Sequence, residues 1–120
     1  MAHILPKAAY GDTLPVVKIA PKYEGRGDAR RTIGAELTAL LTFDNLAPVP
    51  IVIQGLDAST LPAPEIVAER NARLDLLMAR FDGLVIEFSG GDYGAVRYKG
   101  TAKGVTFTNL TPSSTTPTKN

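Results

Sequence analysis

The chain has 120 residues, the size of a single domain, and 44% of them are hydrophobic, which is enough to build a core. It contains no cysteine, so disulfide scaffolds, thiolate metal sites and cysteine nucleophiles are excluded. Lys and Arg number 13 against 12 Asp and Glu, a net charge of +1, so a nucleic-acid site would have to come from local clustering of cations. No signal-peptide core or membrane-spanning stretch is visible, which predicts a soluble cytoplasmic protein without a membrane partner.

The first half of the chain carries three strand-like segments, preceded by an arm or short edge strand. Residues 14–20 are rich in β-branched side chains and predict the first strand. Residues 35–43 alternate apolar and polar side chains with a period of two, which predicts a half-buried strand. Residues 49–56 predict a third strand, and Pro50 places it at an edge or near its start because proline cannot donate to a sheet ladder.

Residues 62–81 carry the clearest helical pattern. Pro62 and Pro64 stand at its start, where a missing amide hydrogen bond costs little, and Gly83 follows its end. The apolar stripe at three- and four-residue spacing consists of Ile66, Val67, Leu74, Leu77, Met78 and Phe81. Arg70 falls within this stripe, and we expect it either to pair with a carboxylate or to extend its charged head into water. The sequence therefore predicts one amphipathic helix.

Two further strands are predicted after the helix. Residues 83–88 alternate in the manner of a strand, and a glycine-rich connection leads to a last strand that begins at Ala95. The alternation of the last strand slips between Gly100 and Gly104, which predicts a bulge or a sharp bend. Residues 111–120 are Thr, Ser, Pro, Lys and Asn without a large apolar side chain, and we expect a disordered tail.

The order of these elements, βββαββ, predicts a mainly β fold with one helix. This is the order of the OB-fold, a five-stranded barrel in which a helix between the third and fourth strands closes one end. The sequence predicts a single OB-like barrel domain over residues 1–110. A glycine-marked bend in a long strand is what closure of a small barrel requires. A generic α+β sheet with a helix on one face and a β-sandwich with an inserted helix remain open as alternatives.

Two basic segments are the candidate nucleic-acid-binding sites. Residues 21–32 contain two glycines, and we expect them to form a mobile loop, which carries four cations and one aromatic ring. The last strand carries three cations close to a tyrosine in the preceding turn. In the predicted barrel both segments border the face that binds oligonucleotides, where cations track phosphates and aromatic rings stack on bases. The candidates are Lys22, Tyr23, Arg26, Arg30, Arg31, Tyr93, Arg97, Lys99 and Lys103. The alternative is that both segments are ordinary solvated surface.

Catalysis has little support in the sequence. His3 is the only histidine, and it lies in the predicted N-terminal arm, so no nucleophile–base pair or metal set can be built around it. The carboxylates are scattered over predicted helix and strand surfaces. We therefore expect a protein that is not an enzyme and that has no metal or other cofactor.

The last third of the chain resembles a known family. Phe81, the run Leu84-Val85-Ile86-Glu87-Phe88 and the later Tyr98, Ala102 and Val105 are similar to OB-fold single-stranded-DNA-binding accessory proteins of mobile elements. In particular, the segment resembles the helicase processivity factors encoded by Gram-positive conjugative elements. The resemblance implies sequence-independent binding of single-stranded DNA, with a replicative helicase or other replication protein as partner.

Two functions are consistent with these patterns. The first is a single-stranded-DNA-binding module whose moderate affinity requires cooperative neighbours or a homo-oligomer. The alternative is a structural or assembly β-domain of a phage or another complex, without nucleic-acid binding. The sequence does not distinguish DNA from RNA as the ligand.

Overall fold

The computed structural model describes residues 3–11, 13–90 and 96–110, and most of their regular structure is β-strand. The single α-helix in this part of the chain is α1 (Pro64–Ala72), and short 3-10 turns lie in several connections. The strands are β1 (His3–Ile4), β2 (Thr13–Glu24), β3 (Arg31–Leu41), β4 (Ala47–Gln54), β5 (Leu77–Asp82), β6 (Val85–Gly90), β7 (Val96–Thr101) and β8 (Gly104–Phe107).

All eight strands belong to one sheet, in the order β1-β6-β7-β4-β3-β2-β5-β8. Its centre is the antiparallel meander of β2, β3 and β4, in which Leu37 faces Ile19 on one side and Ile51 on the other. These three side chains are buried, whereas their neighbours along each strand are half-buried or exposed, and this burial fixes the register of the meander.

The four strands after the helix behave as one long antiparallel hairpin that is bent in the middle. Asp82 faces Gly104 before the bend and Val85 faces Thr101 after it, so the pairing register is the same on both sides of the bend. Gly83 adopts a positive φ of 61° at the bend, a conformation that glycine reaches without strain. On one side of the bend β5 pairs with β2, and on the other side β7 pairs with β4. The sheet therefore curls into a half-barrel.

The contact between β4 and β7 is short. These strands are parallel and pair only at Ile51 with Gly100 and at Val52 with Thr101. The preceding residues of β4 include Pro48 and Pro50, which have no backbone N–H with which to extend a ladder. Pro50 was predicted to lie at an edge or a strand start, and it lies instead beside this short ladder in the interior of the sheet.

The helix α1 covers the concave side of the sheet next to β2. Val67 packs into the core, and the Asn71 side chain donates a hydrogen bond of 2.8 Å to the backbone oxygen of Val17. That oxygen lies at the irregularity of β2 between Val16 and Lys18. The largest fully buried side chains of the core are Leu37, Leu41, Ile51, Ile53, Leu77, Ile86, Val16 and Val49.

The prediction of a mainly β fold with one helix is confirmed, but the five-stranded OB-like barrel is wrong. The sheet has eight strands because the N-terminal segment adds β1 to its edge, residues 77–82 form β5 instead of helix, and the last predicted strand is divided into β7 and β8. A single sheet with a helix on one face also differs from the alternative β-sandwich. The generic α+β sheet comes closer.

The helix prediction over residues 62–81 is wrong in its second half. The helix α1 ends at Ala72, and the stretch that follows Leu76 is the strand β5. Leu77, Ala79 and Phe81 are buried, whereas the residues between them are half-buried or exposed, which is the period of a strand. Within the described ranges, no helix has the length and apolar character needed to cross a membrane.

Candidate nucleic-acid interface

The hairpin of β2 and β3 extends past the strands on either side of it. The pairing of β3 with β4 ends at Gly34 and Gln54, whereas β2 and β3 remain paired as far as Glu24 and Arg31. We call residues 21–32 the basic arm. Its residues are exposed except Lys22, which is half-buried. The predicted loop is therefore largely a two-stranded ribbon that ends in a 3-10 turn at Gly27–Ala29.

An arginine stacks on a tyrosine within the basic arm. The guanidinium carbon Cζ of Arg30 lies 4.3 Å from the centroid of the Tyr23 ring, and Tyr23 is 43% exposed. A cation over an aromatic face at this distance is attracted by the ring, by about 0.5–1 kcal/mol where the site is exposed. The contact holds Arg30 in place and covers one face of Tyr23.

Two other cations of the basic arm lie beside carboxylates. The Lys22 ammonium lies 3.9 Å from the Glu36 carboxylate, and the Arg31 guanidinium lies 3.7 Å from that of Glu24. Both pairs are long and at least partly open to solvent, so each stabilises the fold little. Arg26 forms no ion pair with any residue in the described ranges.

The basic arm carries a local excess of positive charge. It carries four cations and two carboxylates, namely Lys22, Arg26, Arg30, Arg31, Glu24 and Asp28. The arm therefore has a net charge of +2 while the whole chain has +1, so the remaining residues sum to −1. The net charge of the whole chain is therefore near zero, although the charge is distributed unevenly between the basic arm and the remaining residues.

The second candidate segment lies on β7. Arg97 and Lys99 are exposed, and they face Ser89 and Glu87 across the β6–β7 pair. Tyr98 lies between them and packs against the core on the other face of the strand. The two cations therefore share the outer face of the half-barrel.

Tyr98 also fixes the position of β7. Its hydroxyl donates a hydrogen bond of 2.7 Å to Oδ2 of Asp44, in the turn between β3 and β4. This hydrogen bond, followed by burial and the charge of Asp44, raises the pKa of Tyr98 above its ordinary value. The hydroxyl thus stays protonated at neutral pH. The stability that the bond contributes is present below the ordinary pKa of tyrosine and is lost as the pH rises through the raised value.

Lys103 and Tyr93 complete the set of predicted site residues. Lys103 is exposed and lies at the bend between β7 and β8, where its backbone N–H donates 2.7 Å to the oxygen of Asp82. Its aliphatic stem packs over Gly83, since a Cβ placed there would lie 3.0 Å from Cδ of Lys103. Tyr93 lies outside the described residues, as does the predicted tail of residues 111–120.

The structure separates the two basic segments rather than joining them in one groove. Gly100 faces Ile51, which faces Leu37, so Lys99 lies at about the level of Thr38 on β3. That level is seven residues along β3 from Arg31, which amounts to roughly 23 Å at about 3.3 Å per residue. The expectation that one site would collect all the cations is not met by this geometry.

Lys18 is an exposed cation that is not among the predicted site residues. Lys18 is exposed on β2 opposite Thr38, and Thr38 faces Pro50 on β4. It therefore lies on the outer face at the level of Lys99. In the sequence, Lys18 precedes the apolar Ile19 within a predicted strand, and this alternation could have placed Lys18 on the solvent-facing side of the sheet. In the described part of the chain, no three His, Asp or Glu side chains are grouped so that they could hold a metal ion.

Fold and site together define a β-rich half-barrel protein with a projecting basic arm. Comparisons with protein-family models, with curated proteins and with solved structures find no match for the chain. The resemblance to single-stranded-DNA-binding accessory proteins of mobile elements stays a prediction. The function is therefore argued from the geometry.

Proposed function

We propose that this protein is a non-enzymatic module that binds single-stranded nucleic acid, in the first place DNA, without reading its sequence. The observation that carries the proposal is the concentration of charge, +2 on the basic arm against −1 on the rest of the chain. An exposed cluster of cations attracts the phosphate backbone of any nucleic acid, and backbone contacts carry no sequence information.

The tip of the basic arm supplies the first contacts. Arg26 and Arg30 form no ion pair in the described ranges, so phosphate binding displaces no carboxylate from either of them. Arg30 is held against Tyr23 at 4.3 Å, which leaves the edge of its guanidinium group to donate hydrogen bonds. Lys22 and Arg31 contribute less, because each already lies within 4.0 Å of a carboxylate.

The outer face of the half-barrel supplies the second set of contacts. Arg97 and Lys99 are exposed there on β7, and Lys18 lies at the same level on β2. The roughly 23 Å between this level and the arm corresponds to about seven stacked nucleotides at 3.4 Å each. Exposed contacts between a cation and a phosphate are each worth less than about 1 kcal/mol, so we expect moderate affinity, with cooperative neighbours or a homo-oligomer on a long strand.

We expect the double substitution Arg97→Ala/Lys99→Ala to weaken the binding of oligonucleotides of every sequence by about tenfold. Two exposed ion pairs of roughly 0.7 kcal/mol each account for a change of this size. Fluorescence anisotropy with labelled oligothymidine and with a mixed-sequence oligonucleotide measures the effect.

The matched control for this experiment is Arg73→Ala/Arg80→Ala. It removes the same charge from two exposed residues outside the proposed interface, so it should change the affinity by less than twofold. Equal losses in both variants would reduce the proposal to a general effect of net charge. A loss confined to one sequence would contradict contact with the backbone.

An assembly role without nucleic-acid binding is the second candidate. The observation that favours it is the exposure of large apolar side chains, 87% for Leu74 and 69% for Ile4. A large homo-oligomer that is indifferent to DNA, in a size-exclusion mass measurement, would support it. A role as a replication or conjugation accessory factor that acts beside a helicase rests on the family resemblance alone.

A further inference from the structure

The basic arm has the dimensions of an element that enters a DNA groove. Beyond Gly34 it is a ribbon of two strands, about 4.8 Å apart, that continues for three residues of β3 and then for the Gly27–Ala29 turn. Three residues of strand extend about 10 Å. The major groove of a DNA duplex is about 12 Å wide and 8.5 Å deep, and it admits a two-stranded ribbon.

The cations of the basic arm are placed on both of its sides. Lys22 and Arg26 precede the turn, whereas Arg30 and Arg31 follow it. A ribbon in the major groove has a phosphate backbone on each flank, and this arrangement offers cations to both. A single strand has one backbone and would use only one side.

Tyr23 offers a single strand only a limited surface for stacking. One face of its ring is occupied by Arg30 at 4.3 Å, so a base has only the opposite face on which to stack. The same contact fixes the arginine, which favours a rigid ligand with regularly spaced phosphates. The arm therefore differs in kind from the flat outer face of β7, where Arg97 and Lys99 lie open on a strand surface.

We infer that the preferred ligand is a junction between duplex and single-stranded DNA, with the basic arm in the major groove of the duplex and the outer face of β7 on the single strand. The inference rests on the proposed function, since it assigns the single strand to that face. The separation of roughly 23 Å places the two contacts about seven base steps apart along one ligand. A tailed duplex is the simplest DNA that offers both.

The experiment compares four labelled probes, two of which are tailed duplexes, by fluorescence anisotropy in one buffer. They are an oligothymidine of about 20 nucleotides, a blunt duplex of about 20 base pairs, and the same duplex with a thymidine tail at either its 3′ or its 5′ end. We expect the wild-type protein to bind one tailed duplex about tenfold more tightly than the oligothymidine or the blunt duplex.

The variant Arg26→Ala/Arg30→Ala separates the two surfaces. It should lower the affinity for the tailed duplex about tenfold and the affinity for oligothymidine only about twofold. A tailed duplex that binds no better than oligothymidine or the blunt duplex would overturn the inference and leave the proposed function standing. Equal losses of the variant on the tailed duplex and on oligothymidine would also overturn it. Failure of the wild-type protein to bind oligothymidine at low salt would instead refute the proposed function.

Discussion

Replacing Gly34 with alanine should destabilise the protein by about 3 kcal/mol or more, because β3 and β4 leave no room for a side chain there. A Cβ at this position would overlap the backbone oxygen of Ile53 and lie 2.9 Å from Cα of Gln54. Both atoms belong to the β4 backbone, which can withdraw only if the ladder between the two strands is broken. Urea denaturation followed by circular dichroism measures the change in the free energy of unfolding.

Gly90→Ala is the matched control for this prediction. Gly90 is also a strand glycine, but a Cβ there would meet no atom of the described residues within 4 Å, and the substitution should change stability by less than about 0.5 kcal/mol. Equal midpoints for the two variants would show that the close approach of β4 to Gly34 is not as described. Gly34 lies at the base of the basic arm, so the same contact fixes where the arm leaves the sheet.

We expect Arg70→Met to destabilise the protein by about 2–3 kcal/mol, because the guanidinium group joins three parts of the chain. Arg70 is only 6% exposed, and its Nε donates 2.8 Å to the backbone oxygen of Asp75 and lies 3.2 Å from the Asp75 carboxylate. Its second contact is to the backbone oxygen of Asn109, after β8. Methionine keeps the apolar stem but leaves these oxygens without their donor.

The control for Arg70 is Arg73→Met in the same turn. The Arg73 guanidinium also reaches the Asp75 carboxylate, but at 4.0 Å and with a side chain that is 58% exposed. Exposed pairs of this kind are worth a few tenths of a kcal/mol, so thermal unfolding should change little. A loss as large as that of Arg70→Met would mean that the charge near Asp75, rather than the buried hydrogen bonds, stabilises this corner.

The central strands of the sheet could be predicted from the sequence because their pattern is local. Leu37, Ala39 and Leu41 are fully buried and occupy every second position of β3, as the alternation indicates. The helix boundary could not be predicted in this way. Leu77 and Phe81 fit both a four-residue and a two-residue period, and the choice depends on a turn in which Leu74 adopts a φ of 58°.

The geometry of the candidate site depends on interactions that a one-dimensional pattern does not contain. The contact between Arg30 and Tyr23 follows from the register of the basic arm, which shifts between Lys22 and Tyr23. The sequence predicts the cations of the arm but not their pairing with Glu24 and Glu36. The separation of the arm from β7 follows from the parallel pairing of Ile51 with Gly100, which joins segments that are distant in the chain.

The salt dependence of oligothymidine binding by the wild-type protein tests the central claim most directly. If Lys18, Arg97 and Lys99 on the outer face each neutralise one phosphate of the single strand, the logarithm of the association constant should fall linearly with the logarithm of salt concentration, with a slope of about −2. Fluorescence anisotropy titrations at several salt concentrations give this slope. An affinity that does not change with salt, or an absence of binding at the lowest salt, would contradict the account.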